Sequence, residues 1–397
     1  MQIVQTGIER FVSEKSLSKI VKGKRLGLLA NPASVDRKLR HSRDLIAKSF
    51  PGRLKAIFSP QHGFFSEKQD NMIASSDMAD PFLKIPVFSL YGETRIPSKE
   101  MLDLIDVLIV DLQDVGTRVY TFIYTMALCL EAARKYEKEV VVLDRPNPIG
   151  GIQIEGNSVK SDYASFVGMY PVPMRHGLTI GEIARLFNDY FRIGSDLTVV
   201  SMAGWKRDMY FSDTSLPWVL PSPNLPEPAS AVVYPGQVLW EGTNISEGRG
   251  TALPFQLFGA PFLLPAFLKD LSDQVEYPGV RLRIVGFEPV SNKWKGSLCY
   301  GFQLHVTDPS CFQPYRTTLL LLQALLKAYP EEFEWKKPPY EYEYEKLPID
   351  LIIGDQKIRE AIESFEPIES IEAGWSDGLR EFEEIRKEYF LYDETKA

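Results

Sequence analysis

DVLIVDLQDVGTR (106–118) decides the fold, because an apolar run rich in Val, Ile and Leu ends there in a polar knot. A run this short and this apolar reads as a strand buried on both faces, as in a parallel sheet. Four more of its kind stand in the first 150 residues. RLGLLA (25–30) runs into Asn31-Pro32-Ala33-Ser34, and LKAIFS (54–59) into Pro60-Gln61-His62-Gly63, with Glu67 and Asp70 close behind. IPVFSL (85–90) runs into Tyr91-Gly92-Glu93-Thr94-Arg95, and EVVVLD (139–144) into Arg145-Pro146-Asn147-Pro148. LTVVSM (197–202) reads as a sixth strand.

Helical patterns fill the intervals, over 8–21, 97–105, 120–136 and from Thr179-Ile180-Gly181-Glu182 onward. Strand, helix, strand repeated in this way predicts an α/β domain with a doubly wound, mostly parallel sheet. Ligands of such sheets bind beyond the carboxyl ends of the strands, which is where the polar knots fall.

From about 203 to 255 the periodicity dissolves into turn chemistry, with Trp218, Tyr234 and Trp240 arguing for an ordered wall rather than disorder. Beyond it a second, smaller α+β domain is expected. VRLRIVGFEPV (280–290) and CYGFQLHVTD (299–308) alternate like antiparallel strands, and TTLLLLQALLKAYP (317–330) reads as a buried helix. EYEYEKLPIDLI (341–352) begins by alternating Glu and Tyr, which predicts an edge strand, and the last fifty residues look helical. The expected division is 1–258 for the α/β domain that carries most site loops, and 259–397 for the domain that completes the cleft.

The composition is 44% hydrophobic and 25% charged with a net charge of −8, ordinary for a globular chain and wrong for a nucleic-acid partner. Cys129, Cys299 and Cys311 are too few and too scattered for a metal site, and no HExxH or CxxC occurs. MQIVQTGIERFVSEK shows no basic stretch followed by an apolar core, and no apolar run approaches the roughly 18 residues that span a bilayer. A cytoplasmic chain with no membrane span is expected.

Asn-Pro-Ala-Ser follows the first strand, where a dinucleotide site needs glycines to let the backbone approach pyrophosphate. GxxxxGK[ST] and the GxSxG elbow are absent as well. Carboxylates, arginines and amides remain, namely Glu67, Asp70, Glu93, Asp111, Asp114, Asp144, Glu241 and Glu247 with Arg95, Arg118, Arg145, Arg175 and Arg249. Paired carboxylates suit glycoside hydrolysis, and arginines in a cleft suit a substrate carboxylate or phosphate.

SPQHGFF, SLYGETRIPS, DLQDVGTRVYTF, DRPNPIGG, VGMYPVPMRHGLTIGE, LPWVLPSPNLP and YPGQVLWEGTNISEGRGTALPF, in that order, resemble the exo-β-N-acetylmuramidase family of glycoside hydrolases. The likeness runs over nearly the whole chain. It implies a Rossmann-like first domain, a smaller second domain, a cleft between them, and release of N-acetylmuramic acid from the non-reducing end of peptidoglycan-derived glycans, without metal or cofactor. The family's second-strand motif reads acid-His-Gly, whereas this chain carries Gln61. An amide cannot act as a proton donor. The resemblance therefore implies that another carboxyl such as Glu67 serves, or that the chain binds muropeptides without cleaving them, or that the cleft runs a different hydrolysis. Glu67, Asp114 and Glu247 are the expected catalytic acids. The expected substrate contacts are Gln61, His62, Asp70, Glu93, Arg95, Arg118, Tyr120, Arg145, Asn147, Arg175, His176, Asn244 and Arg249.

Overall fold

The computed structural model describes residues 3–69, 72–274 and 277–392. The first six strands are β1 (Leu26–Ala30), β2 (Leu54–Ser59), β3 (Met78–Ala79), β4 (Pro86–Ser89), β5 (Val107–Asp111) and β6 (Glu139–Leu143). A small hairpin of β7 (Glu155–Ser158) and β8 (Pro173–Arg175) precedes β9 (Asp196–Val200). The last three are β10 (Leu257–Ala260), β11 (Val280–Phe287) and β12 (Cys299–Val306).

One sheet takes seven of them in the order β3-β4-β2-β1-β5-β6-β9, all neighbours parallel except the β3–β4 pair. Counted along the chain, its parallel strands lie in the order 3-2-1-4-5-6, the Rossmann order, with the reversal between β1 and β5. Side-chain alternation explains why both faces are apolar. Leu28, Ile109 and Val141 enter one core, while Leu29, Val110 and Val142 enter the other. The register Leu28↔Ile109 and Leu29↔Val110 aligns these rows across β1 and β5. Helices Phe122–Lys135 and Ile180–Asp189 cover one of the faces, and the second opens on a capping box between Thr179 and Glu182.

The antiparallel sheet β10-β12-β11 and helix Pro314–Ala328 form the smaller α+β part. Its Phe258, Phe302, Leu322 and Ile352 belong to the same apolar cluster as Leu29 and Val110, so the core runs without a break between the two parts.

Three expectations are corrected. The turn-rich stretch 203–255 contains the helix Pro228–Gln237 and two 3₁₀ segments, Phe211–Thr214 and Val238–Gly242. Residues 341–352 form no edge strand: a tight turn at 340–343 leads to the helix Pro348–Ile353. The expected helix 8–21 is broken into Gly7–Ser13, Lys15–Ser18 and a 3₁₀ turn. Among the described residues no helix is long and apolar enough to cross a membrane.

Candidate active site

Beyond the carboxyl ends of the sheet, several separate segments converge on a narrow cavity of about 30 Å³, four of them carrying the groups described next. The loop after β2 supplies Gln61 and His62. His62 and Gly63 both take left-handed backbone (φ 77° and 84°), which folds the loop back so that the His62 ring reaches the Lys68 carbonyl at 2.8 Å. The turn leading into helix Phe122–Lys135 supplies Tyr120 and Thr121, and the Thr121 hydroxyl donates to Gln61 Oε1 at 2.8 Å.

The third segment is the 3₁₀ turn Val238–Gly242 and the loop after it, with Glu241, Arg249 and Phe255. Arg249 Nη2 donates to Glu241 Oε1 at 2.6 Å, and its Nε lies 3.1 Å from Glu247 Oε1. Glu247 sits behind Arg249 and receives Lys293 Nζ at 2.8 Å. Burial works against its charge, but Lys293 and Arg249 outweigh that cost and hold the carboxyl below its ordinary range. The fourth segment is the turn 340–343. Tyr340 donates to Glu241 Oε2 at 2.8 Å, and Glu341 accepts from Gln61 Nε2 at 3.1 Å and from Tyr91 at 2.7 Å. Burial pushes the Glu341 carboxyl up, against the opposing hydrogen bonds of Tyr91 and Gln61.

Of the residues expected from sequence, the structure brings Gln61, His62, Tyr120 and Arg249 to this cavity, with Glu247 directly behind. The others it places elsewhere. Glu67 is exposed and accepts from the backbone of Phe65 within its own loop. Asp70 lies outside the described residues. Glu93 is exposed, while Arg95 is packed among Tyr91, Phe166 and Tyr342.

The remaining candidates are buried, apart from the half-buried Asn244, and spend most of their polar atoms on the fold. Arg118 is fully buried and donates to the carbonyls of Ile352 and Ile353 at 2.8 and 2.7 Å. Arg145 makes a two-pronged pair with Asp111 at 2.6 and 2.9 Å. Asn147 ties Leu178 to Ile149, and Arg175 donates to Gln153 and to the Ile149 carbonyl. His176 Nε2 lies 3.3 Å from Asp114 Oδ2, which also accepts the Gly116 amide at 2.7 Å. Asn244 bonds the backbone of Glu332 and Glu334. A charge withdrawn from water needs a partner, and these residues found theirs in neighbouring loops.

Glu341 and Tyr340 were not anticipated, and Glu241 stood only among several acids. Ser222, Asn224 and Tyr234 complete the wall. The usable signal was a glutamate set between tyrosines just after two prolines, a turn composition rather than a strand's.

Residues 26–229 match the family described as exo-beta-N-acetylmuramidase NamZ, N-terminal, and residues 232–392 match its C-terminal counterpart. The peptidoglycan beta-N-acetylmuramidase NamZ of Bacillus subtilis (strain 168) is 45% identical over 389 residues, 98% of this chain and 91% of that protein. Two crystal structures of DUF1343 family proteins from Bacteroides fragilis NCTC 9343 superpose on it. One is 34% identical with a TM-score of 0.88, covering 99% of this chain and 100% of the other. The second is 29% identical with a TM-score of 0.75, covering 99% of each. The chain belongs to the NamZ exo-β-N-acetylmuramidase family.

Proposed function

We propose that this protein is an exo-β-N-acetylmuramidase, hydrolysing the bond that holds a terminal N-acetylmuramic acid to peptidoglycan-derived glycans. The observation that carries the reading is a pair of buried glutamates, Glu241 and Glu341, on one narrow cavity at the sheet's carboxyl edge. Two carboxyls flanking one point are the equipment of glycoside hydrolysis. Tyr340 and Glu341 come from the part of the chain beyond 258, so a cleft completed by residues 259–397 agrees with the wall.

The cavity adjoins a wider groove of about 610 Å³ through the shared residues Asn224 and Arg249. A polar end of about 30 Å³ is too small for a sugar ring, so the terminal sugar is assigned to the broad trough, with its scissile bond turned toward the glutamates. Arg249 is the guanidinium on this wall, and we assign it the lactyl carboxylate that distinguishes muramic acid from glucosamine. Cys311 is an exposed, unpaired thiol, which supports a cytoplasmic setting.

The test is purified protein with the β-1,4-linked disaccharide of N-acetylmuramic acid and N-acetylglucosamine, muramic acid at the non-reducing end. Free N-acetylmuramic acid is the expected product, and the corresponding disaccharide without the lactyl group is expected to stay intact. Calorimetric binding without release of sugar would overturn the enzyme reading in favour of a binding protein.

A further inference from the structure

The two glutamates of the cavity keep unlike company. Both oxygens of Glu241 are taken, one by the Arg249 cation at 2.6 Å and the other by the Tyr340 hydroxyl at 2.8 Å. Glu341 is 4% exposed, and the side chains that hydrogen-bond to it, Tyr91 and Gln61, are neutral. Burial raises its hold on a proton, Tyr91, Gln61 and Arg95 pull the other way, and the charge of Glu241 adds to burial. Gln61 is anchored in turn on the Thr121 hydroxyl, a group that both donates and accepts. Amide and hydroxyl can reverse together, so Glu341 finds a partner whether charged or neutral.

The backbone shows that Glu341 is held in place at a cost. Tyr340 and Glu343 exchange both backbone hydrogen bonds at 2.9 Å, closing a turn whose central residues Glu341 and Tyr342 have φ of 46° and 67°. Asn-Gly is the usual answer to two left-handed positions in such a turn. A larger residue there costs on the order of 1–3 kcal/mol, and such strain gathers at functional sites. His62 and Phe255, on the same cavity, are left-handed too (φ 77° and 63°).

We propose that Glu341 is the catalytic acid, giving its proton to the oxygen of the scissile glycosidic bond while Glu241 faces the anomeric carbon. This assignment rests on the muramidase reading above. The anomeric C–O bond breaks, its electron pair stays on the departing oxygen, and that oxygen takes the Glu341 proton. Glu241 offsets the positive charge that develops on the sugar ring. Water then adds to the anomeric carbon and its proton restores Glu341, so the sum is hydrolysis alone.

Leaving groups separate this role from a structural one. Glu341→Gln is expected to lose about 10³-fold on the disaccharide, whose alcohol must be protonated to leave, but less than about tenfold on a nitrophenyl β-N-acetylmuramide, whose phenolate leaves unaided. Equal loss on both substrates, or full activity on the disaccharide, overturns the assignment. Tyr91→Phe covers the case in which Glu341→Gln does not fold. Loss of its hydroxyl removes a donor to the carboxylate and is expected to move the basic limb of the pH–rate profile upward. An unmoved limb overturns the assignment. Tyr91, Arg95, Tyr234, Glu241 and Tyr340 face Glu341, with His62 and Arg249 on the cavity wall. Wild-type protein that cleaves neither substrate would overturn the muramidase reading, and the assignment with it.

Discussion

Arg118 and Arg249 look alike in the sequence, one two residues after Gly116 and the other directly after Gly248, yet they do opposite things. Arg249 stays on the cavity wall between two acids. Arg118 turns away, and its guanidinium caps the last carbonyls of helix Pro348–Ile353. Arg249 finds its acids 8 and 2 residues away, whereas the acceptors Ile352 and Ile353 of Arg118 lie 234 and 235 residues away, where no local window shows them. Arg118→Met would strand those buried carbonyls, and urea unfolding is expected to show a loss of about 3 kcal/mol or more. Glu67→Gln is the contrast. Glu67 is exposed and only caps its own loop, so stability should move by no more than about 0.5 kcal/mol, with kcat/KM on the disaccharide essentially unchanged. A large drop in kcat/KM for Glu67→Gln would return that residue to the reaction.

Elements were legible where burial alone dictates the pattern. β1 and β5 sit at the centre of the sheet and every residue in them is buried, so an unbroken apolar run is all they can be. Helix Pro228–Gln237 was illegible for the opposite reason. It contains Pro235 and Gly236, which local propensity reads as a break. Packing overrides propensity there: a Cβ on Gly236 would lie 1.9 Å from the Pro314 carbonyl oxygen, so only glycine lets this helix lie against Pro314–Ala328. Alanine would gain about 1 kcal/mol in intrinsic helix preference. The clash costs more, and Gly236→Ala is expected to lose about 3 kcal/mol. Thermal melts of the variant, with Thr318→Ser as a nearby control, would decide it. The Glu-Tyr alternation at 341–344 misled because a period of two is also what a tight turn between tyrosines displays. Among the described residues no strand pairs with it.

At the scale of the molecule, the site depends on contacts that no window of sequence contains. Gln61 meets Glu341 across 280 residues, and the two parts share one continuous core. Glu155 is another such joint. It opens β7, is buried, and accepts the Arg316 amide at the start of helix Pro314–Ala328 at 2.8 Å. Burial pushes its carboxyl from about 4.5 up to about 7, although Arg175 and Arg316 stand near. In that window the folded chain holds a proton that the unfolded chain has released, so stability falls as pH rises from about 4.5 and levels off beyond about 7. Glu155→Gln keeps the shape and the acceptor but cannot ionise. Its melting temperature should gain on that of the wild type as pH climbs through the window, and the gap should be constant above it. A gap that instead narrowed with rising pH would mean Glu155 enters the folded state charged, and that the joint between the two parts is an ion pair with Arg175 or Arg316.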